Sequence, residues 1–299
     1  MVAQAGLEPA THEFSVHCST IGAIVPFKSL NYYTHKYLMY FNEKKILRYS
    51  YVLSVITPLL LAWVMYYFFF IFTLSDLPFF LIGYIILRIT NSAFVHRKWS
   101  HRSWSTKYQS IELIGLVLHT LMWVGPSIGW VSIHRRHHKY CDTERDPHSP
   151  YFKSRMKIQF TNFDTPFDIK YAVDLVKSPL HLWFTNYYLE FNVLFLVILG
   201  SFSLHALGLW LAMMGFTITI VHSTNAFLHK TPKILLPINY SGGSANSFFL
   251  NLIHFNGEAW HHNHHEDQTN WNFSKKWYEF DMTAWVLMLF ARCKLIELH

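Results

Sequence analysis

The chain has 299 residues, of which 52% are hydrophobic, 18% aromatic and only 14% charged, whereas a soluble domain usually carries about 25% charged residues. Its 25 Lys and Arg against 18 Asp and Glu give a formal charge of +7, and in so apolar a chain that excess suits membrane topology, so nucleic acid is set aside as a partner. Cys18, Cys141 and Cys293 lie far apart without CxxC spacing, which argues against a disulfide framework and against a cysteine zinc site.

Residues 1–48 form a cytoplasmic amino-terminal segment with no helical or strand periodicity. Its opening MVAQAGLEPATHEF looks like the peptide of a gene model begun too early, read through a neighbouring tRNA gene. Residues 1–38 are then not native and Met39 is the start; a disordered tail is the other reading. From Tyr49 to Ser75 no residue is charged, more than the roughly 20 apolar residues a helix needs to cross a bilayer. This span is expected to act as its own signal. After a break at Ser75-Asp76-Leu77-Pro78 the run FFLIGYIILRITNSAFV returns, with Arg88 and Asn91 late in it, so that residues 49–95 make a first transmembrane hairpin.

Residues 96–186 follow as a polar cap, and the uncharged stretch from Phe191 to His229 is too long for one helix. A turn is expected between Gly200 and Gly208, which makes 187–228 a second hairpin, and 229–299 completes the cap. Five Lys and Arg precede Tyr49, thirteen lie between His96 and Asn186, six follow His229, and the two short loops between spans hold none. Both termini and the cap therefore face the cytoplasm, below a bacterial inner membrane or the endoplasmic reticulum. The expected architecture is one domain over 1–299: all-α, integral to the membrane, four transmembrane helices and a cytoplasmic helical cap.

Histidines carry the functional signal. His96 and His101 are five apart and diverge by about 140° on a continuous α-helix, so the helix must end or bend for both to share a metal. His134, His137 and His138 lie at i, i+3 and i+4 on one helical face, and His261, His264 and His265 repeat that spacing, with His262 pointing elsewhere. His229, after Asn225, stands where the fourth span emerges. Nine histidines at one membrane face exceed what one tetrahedral metal uses, whereas two metals with four or five ligands each would occupy them. Imidazole suits iron, zinc, copper and nickel alike, so spacing does not choose the metal.

The phrases HRKWSH, HRRHHKY followed by DPH, NAFLH and GEAWHHNHH resemble the membrane fatty acyl desaturases, especially the Δ9 acyl desaturase family that includes stearoyl-CoA desaturase, over roughly residues 85–290. The resemblance implies a mushroom-shaped helical fold with a di-metal site of two iron ions. It implies oxygen-dependent insertion of a cis double bond, at Δ9, into a saturated acyl chain in fatty acid biosynthesis. It further implies His96, His101, His134, His137, His138, His229, His261, His264 and His265 as catalytic iron ligands, with Asn225 holding a water on one iron. The carboxylates Asp142 and Asp146, the latter in Asp146-Pro147-His148, are with Glu258 and Asp281 candidate partners of the histidine N–H groups.

Ser132 and Ile133 stand where acyl-CoA members of the family carry an Arg-Asp pair. The expected substrate is therefore a long-chain acyl group linked to membrane lipid, with acyl-carrier protein, favoured by Lys153, Arg155 and Lys157, or acyl-CoA as alternatives. Electrons must come from an external donor, a ferredoxin or a cytochrome b5 with its reductase, because the chain shows no redox motif of its own. Trp99, Trp104, Trp123, Trp130 and Trp260 are candidates to line an acyl tunnel. The rival readings are a di-iron hydroxylase or ketolase and, in another class, a His-rich metal transporter, which would place ionisable groups in mid-membrane.

Overall fold

The computed structural model describes residues 43–160, 168–229, 239–241 and 243–299; the expectations placed on residues 1–42, Met39 among them, lie outside the described residues. Helix α1 (Glu43–Phe70) leaves a charged segment and runs through the charge-free stretch. The chain reverses at Thr73, where the Thr73 N–H donates to Asp76 Oδ2 at 2.8 Å, and Pro78 in the first turn opens α2 (Leu77–Thr90), where its missing N–H has no helical partner to lose. From Asn91 to Ser100 the winding becomes π-helical. There follow β1 (Trp104–Ser105), α3 (Gln109–Thr120), α4 (Ser127–Tyr140), α5 (Pro179–Asn186), α6 (Tyr188–Phe202) and α7 (Leu204–Leu228). β2 (Asn239–Ser241), β3 (Ser244–Asn246), α8 (Phe248–His254), α9 (His261–Glu266), α10 (Met282–Arg292) and β4 (Glu297–Leu298) come last, and short helical turns at Leu74–Asp76, Arg155–Phe160, Ile169–Tyr171 and Val173–Val176 lie between the numbered elements.

The expected helical architecture holds, with the addition of two antiparallel two-stranded ribbons, β1 with β4 and β2 with β3. Three stretches are long and apolar enough to cross a membrane: Arg48–Phe70, Leu74–Ser100 and Leu204–Leu228. Where a third span was expected to begin at residue 187, α6 is bent by 66° from α5, which was expected in the cap, and the two supply a fourth crossing only if they count as one broken span. The bend sits where Tyr49 donates its hydroxyl to the Asn186 carbonyl at 2.5 Å. The expected turn inside the second apolar stretch falls at Ser203, whose side chain accepts the Ala206 N–H; Gly208 lies within α7.

Helix α7 packs along α1 and α2. A Cβ at Gly215 would lie 2.6 Å from Val64 Cγ2 and 2.9 Å from the Leu60 carbonyl oxygen, so only glycine lets these backbones approach, the usual device for helix pairs in lipid. Large apolar side chains such as Leu59, Phe69, Ile82, Val197 and Phe202 point outward, a surface suited to hydrocarbon. At the turn end of the hairpins the buried Asp76 bonds His205 at 2.6 Å. At the opposite end the π-helical segment, α4, the end of α7 and α9 come together, and all the histidine motifs ride on these elements.

Candidate metal centre

The geometry begins with His96 and His101. The π-helical segment that carries His96 ends at Ser100, and His101 is its C-cap. The His101 N–H donates to the His96 carbonyl at 3.2 Å, an i→i+5 bond of the π-helical kind that brings these two residues toward the same side. The two rings stand 5.0 Å apart.

His96, His101, His134, His138 and His264 form the first cluster, all buried, with one ring nitrogen from each lying within 4.8 Å of all the others. Nε2 to Nε2 distances are 2.8 Å for His101 and His134, 3.0 Å for His134 and His138, 3.0 Å for His138 and His264 and 3.0 Å for His96 and His264. A second cluster holds His137, His229, His265 and, unexpectedly, Cys141. His261 joins it through Nε2 contacts of 2.7 Å to His229 and 3.1 Å to His265. The two adjoin, with the His138 and His265 rings stacked 4.6 Å apart. Each tight motif is therefore shared: α4 sends His134 and His138 one way and His137 the other, and α9 sends His264 to the first cluster and His261 and His265 to the second.

Outer groups fix the rings. Glu258 Oε2 accepts from His96 Nδ1 at 2.6 Å, and Asp146 accepts from His137 Nδ1 at 2.9 and 3.0 Å. Asp142 Oδ2 lies 3.4 Å from His229 Nδ1. The Cys141 sulfur sits 3.9 Å from His229 Nδ1 and 3.8 Å from His265 Nδ1, on the outer side of those rings. Burial pushes the Glu258 carboxyl up, but His96, Arg97 and Ser92 together bring it down to about 2. Burial likewise opposes ionisation of Asp146, and His137, His229 and His148 hold it well below the usual carboxylate range. Burial, then the charge of neighbouring rings, pushes His101, His134, His138, His261, His264 and His265 well below the ordinary imidazole value, so these rings are neutral and able to donate to a metal.

The loop that carries Glu258 needs Gly257, at φ +86° and packed on the Asp281 carboxylate, because a side chain there would be strained and would clash. Arg97 spans the loop, donating to the Asn256 carbonyl at 3.1 Å and the Trp271 carbonyl at 2.7 Å. Asp281, a candidate histidine partner, instead pairs with Arg97 at 2.8 Å and caps α10: it lies behind the loop, where a buried guanidinium takes its charge. Arg135 similarly ties the π segment to the cap through the Trp99 and Ser100 carbonyls and Asp174.

Asn225 lines a cavity beside the first cluster, together with His96, His134, His261, Trp130 and Ile133. His262 turns away to Ser244 and Glu266. Of the five tryptophans considered for a tunnel only Trp130 lines this cavity; Trp99 and Trp104 line a separate open groove, and Trp123 and Trp260 are buried in packing. Ser132 spends its hydroxyl on the Asp168 carbonyl at 2.7 Å. Sequence reasoning missed Cys141, whose adjacency to HRRHHKY was the available signal, and Arg88, Arg97 and Arg135, whose partners are remote in sequence.

The donor chemistry fits two cations. A pair of nitrogens 3 Å apart shares at most one proton, and His96, which gives its Nδ1 proton to Glu258, turns a lone pair inward. His137 is bonded at Nδ1 to Asp146, and its ring stands 4.6 Å from His229 and 5.4 Å from His265, within the second cluster. Five inward nitrogens in one set and four in the other suit borderline metals such as iron or zinc.

No family model matches the chain. It is similar to the acyl-CoA C20 Delta5-desaturase of Anemone leveillei, 29% identical over 205 residues, 65% of this chain and 64% of that protein. It is similar to the sn-1 stearoyl-lipid 9-desaturase of Synechocystis sp., 29% identical over 206 residues, 65% of this chain and 62% of that protein. It is also similar to the Delta-9 desaturase-like 2 protein of Arabidopsis thaliana, 30% identical over 223 residues, 70% of this chain and 72% of that protein. In the first two the matched stretch is just under two thirds of the relative's own length.

Proposed function

The chain belongs to the membrane fatty acyl desaturase family, whose members are oxidoreductases, and from that premise we propose that it inserts a cis double bond into a saturated long-chain acyl group, using dioxygen and two iron ions. The observation that carries the proposal is the pair of adjoining histidine clusters opening on a buried cavity. No side-chain acid or base removes hydrogen from an unactivated methylene, and a bound iron pair supplies that oxidising power.

The residues of the chain do the rest. Glu258 and Asp146 hold His96 and His137 in the tautomer that points Nε2 inward. Trp130, Ile133 and Val124 give the cavity an apolar wall, which excludes water from the reacting methylenes. Asn225 stands in the same wall and serves as the group that holds a water at the first cluster. Removing two hydrogens while dioxygen becomes two waters takes two further electrons and two protons, so an external donor docks on the cap. We assign the cap and both termini to the cytoplasmic side, a reading that the Lys and Arg counts support, and take α5 and α6 together as the fourth crossing.

The relatives differ in double-bond position, Delta5 and 9 among those named, and Δ9 is the position we propose. Lipid is the proposed carrier. Ser132 is tied up by the Asp168 backbone and Ile133 faces the cavity, so neither meets a CoA phosphate, whose binding draws on Arg or Lys. The test is the purified protein, loaded with iron, reconstituted in vesicles with an electron donor and oxygen. We expect a Δ9 double bond in glycerolipid chains, formed faster than on the same chain as acyl-CoA. Hydroxylated or keto products would overturn desaturation, and turnover confined to acyl-CoA would overturn the carrier.

A further inference from the structure

Arg88 is 1% exposed within the span Leu74–Ser100, a place where an isolated cation is costly and marks a function. Its Nη2 donates to His254 Nδ1 at 2.7 Å. With Nδ1 accepting, the His254 proton sits on Nε2 and goes to Ser223 Oγ at 3.0 Å, and Ser223 donates to the Ile220 carbonyl at 2.8 Å. That relay is neutral, Nη2 also reaches Asn256 Oδ1 at 3.5 Å, and the opposite charge acting on Arg88 is that of Glu258. Glu258 lines the same cavity, but its two oxygens are engaged by His96 at 2.6 Å and Ser92 at 2.5 Å. Arg88 Nε and Nη1 have no hydrogen-bond partner, nor has the buried amide nitrogen of Asn91 one turn on. Both residues line the cavity beside the first histidine cluster.

We propose that this cavity binds a carboxylate carried on an alkyl chain, seated on Arg88 Nε and Nη1 with Asn91 beside it. A guanidinium with free N–H groups in a low-dielectric site selects an anion with paired oxygens. A methyl terminus would leave those donors buried and unpaired, and a site built to hydrogen-bond its ligand rejects the analogue that lacks the group. Arg88 lies eight residues before His96, more than one helical turn further into the apolar span. A headgroup at the membrane surface does not reach it, so the anion arrives on a chain. Two sources share this chemistry: an unesterified fatty acid entering carboxyl end first, or an esterified chain whose far tip is a carboxylate, entering tip first. In either case the anchor sets which methylenes stand at the metals. The inference rests on the acyl-chain reading for the alkyl part and is tested by binding, without turnover.

The metal-loaded protein in detergent micelles is titrated calorimetrically with octadecanoate against methyl octadecanoate, and with a monoacylglycerol whose chain ends in a carboxylate against one ending in methyl. We expect at least one carboxylate to bind about tenfold or more tighter than its neutral partner, the first pair identifying a free acid and the second a far-tip carboxylate. Arg88→Gln should erase the preference while binding of the neutral partner persists. Asn91→Leu, which leaves the His254 contact in place, should reduce the preference about threefold and serves if Arg88→Gln does not fold. Equal binding within both pairs overturns the proposal, as does an undiminished preference in Arg88→Gln with only its melting temperature lowered. A preserved preference in a protein that forms no double bond supports the carboxylate site and counts against the desaturase reading alone.

Discussion

The two histidine clusters reach the same end by different means. The first brings five rings together and has one carboxylate behind them, Glu258 on His96. The second has four rings but sets Asp146 behind His137, Asp142 behind His229 and the Cys141 thiol against His229 and His265. One cluster relies on ligand number, the other on orientation of fewer ligands from outside. A metal held by many neutral donors tolerates the loss of one better than a metal held by few well-aimed ones, since ligand loss at the minimum set opens the site.

That contrast can be broken most sharply with single rings. His229→Ala or His265→Ala should bring bound iron from about two to about one per chain and reduce double-bond formation to background. His134→Ala and His138→Ala should also abolish product. His101→Ala leaves four rings and should weaken metal binding by about tenfold to a hundredfold without emptying the first site. Elemental analysis beside product analysis separates these cases; equal iron loss in His101→Ala and His229→Ala would erase the distinction.

The outer carboxylates sharpen it further. Asp146→Asn and Glu258→Gln should each cost about tenfold to a hundredfold in metal affinity, with the first emptying the second cluster and the reverse for the other. Spectroscopy of a half-loaded protein would show which iron is missing. Loss of both irons in each variant would mean that the clusters fill as one unit.

Acid provides a milder challenge. In the metal-free protein, His101, His134, His138, His261, His264 and His265 have folded pKa values well below 6.5, chiefly through burial. Depressed values mean that the unfolded chain binds protons the folded chain refuses, so stability present above pH 6.5 is lost as pH falls through and below it. The melting temperature of apoprotein should drop from about pH 6.5 downward. A flat profile between 7 and 5 would contradict the neutral rings. The smallest effect is expected at His262→Ala: less than about twofold in product and iron, since that ring faces Ser244 and Glu266 on the surface side of α9. Iron loss there as complete as in His265→Ala would mean that α9 presents another face to the metals.

Much of this centre could be read from residue order, because i, i+3 and i+4 spacing fixes which histidines share a face of α4 and α9 whatever surrounds them. What spacing does not carry is the partner across the gap. Nothing in HRRHH separates His137 from His134 and His138; the division arises because His229 arrives from α7 on one side and His96 from the π segment on the other. The π winding was equally hidden, since hydrophobic periodicity over ten residues does not distinguish it from a helix about to end. Asp281 was misjudged because Arg97, its partner, lies 184 residues away in the chain. The hairpins were legible from charge-free length, while the bend at Tyr187 depends on the Tyr49 hydroxyl reaching the Asn186 carbonyl, a contact 137 residues apart.

The bend between α5 and α6 bears on the bilayer itself. Helix α6 has 15 residues, a rise of about 22 Å against roughly 30 Å of hydrocarbon, and α5 departs from its axis by 66°. If this pair makes the fourth crossing proposed above, lipids beside this flank would have to shorten their reach, thinning the membrane there and bringing their ester groups toward the plane of the cap. A glycerolipid substrate on that side would then begin nearer the histidine clusters than one beside α1, and thicker bilayers, which resist such thinning, should slow its capture.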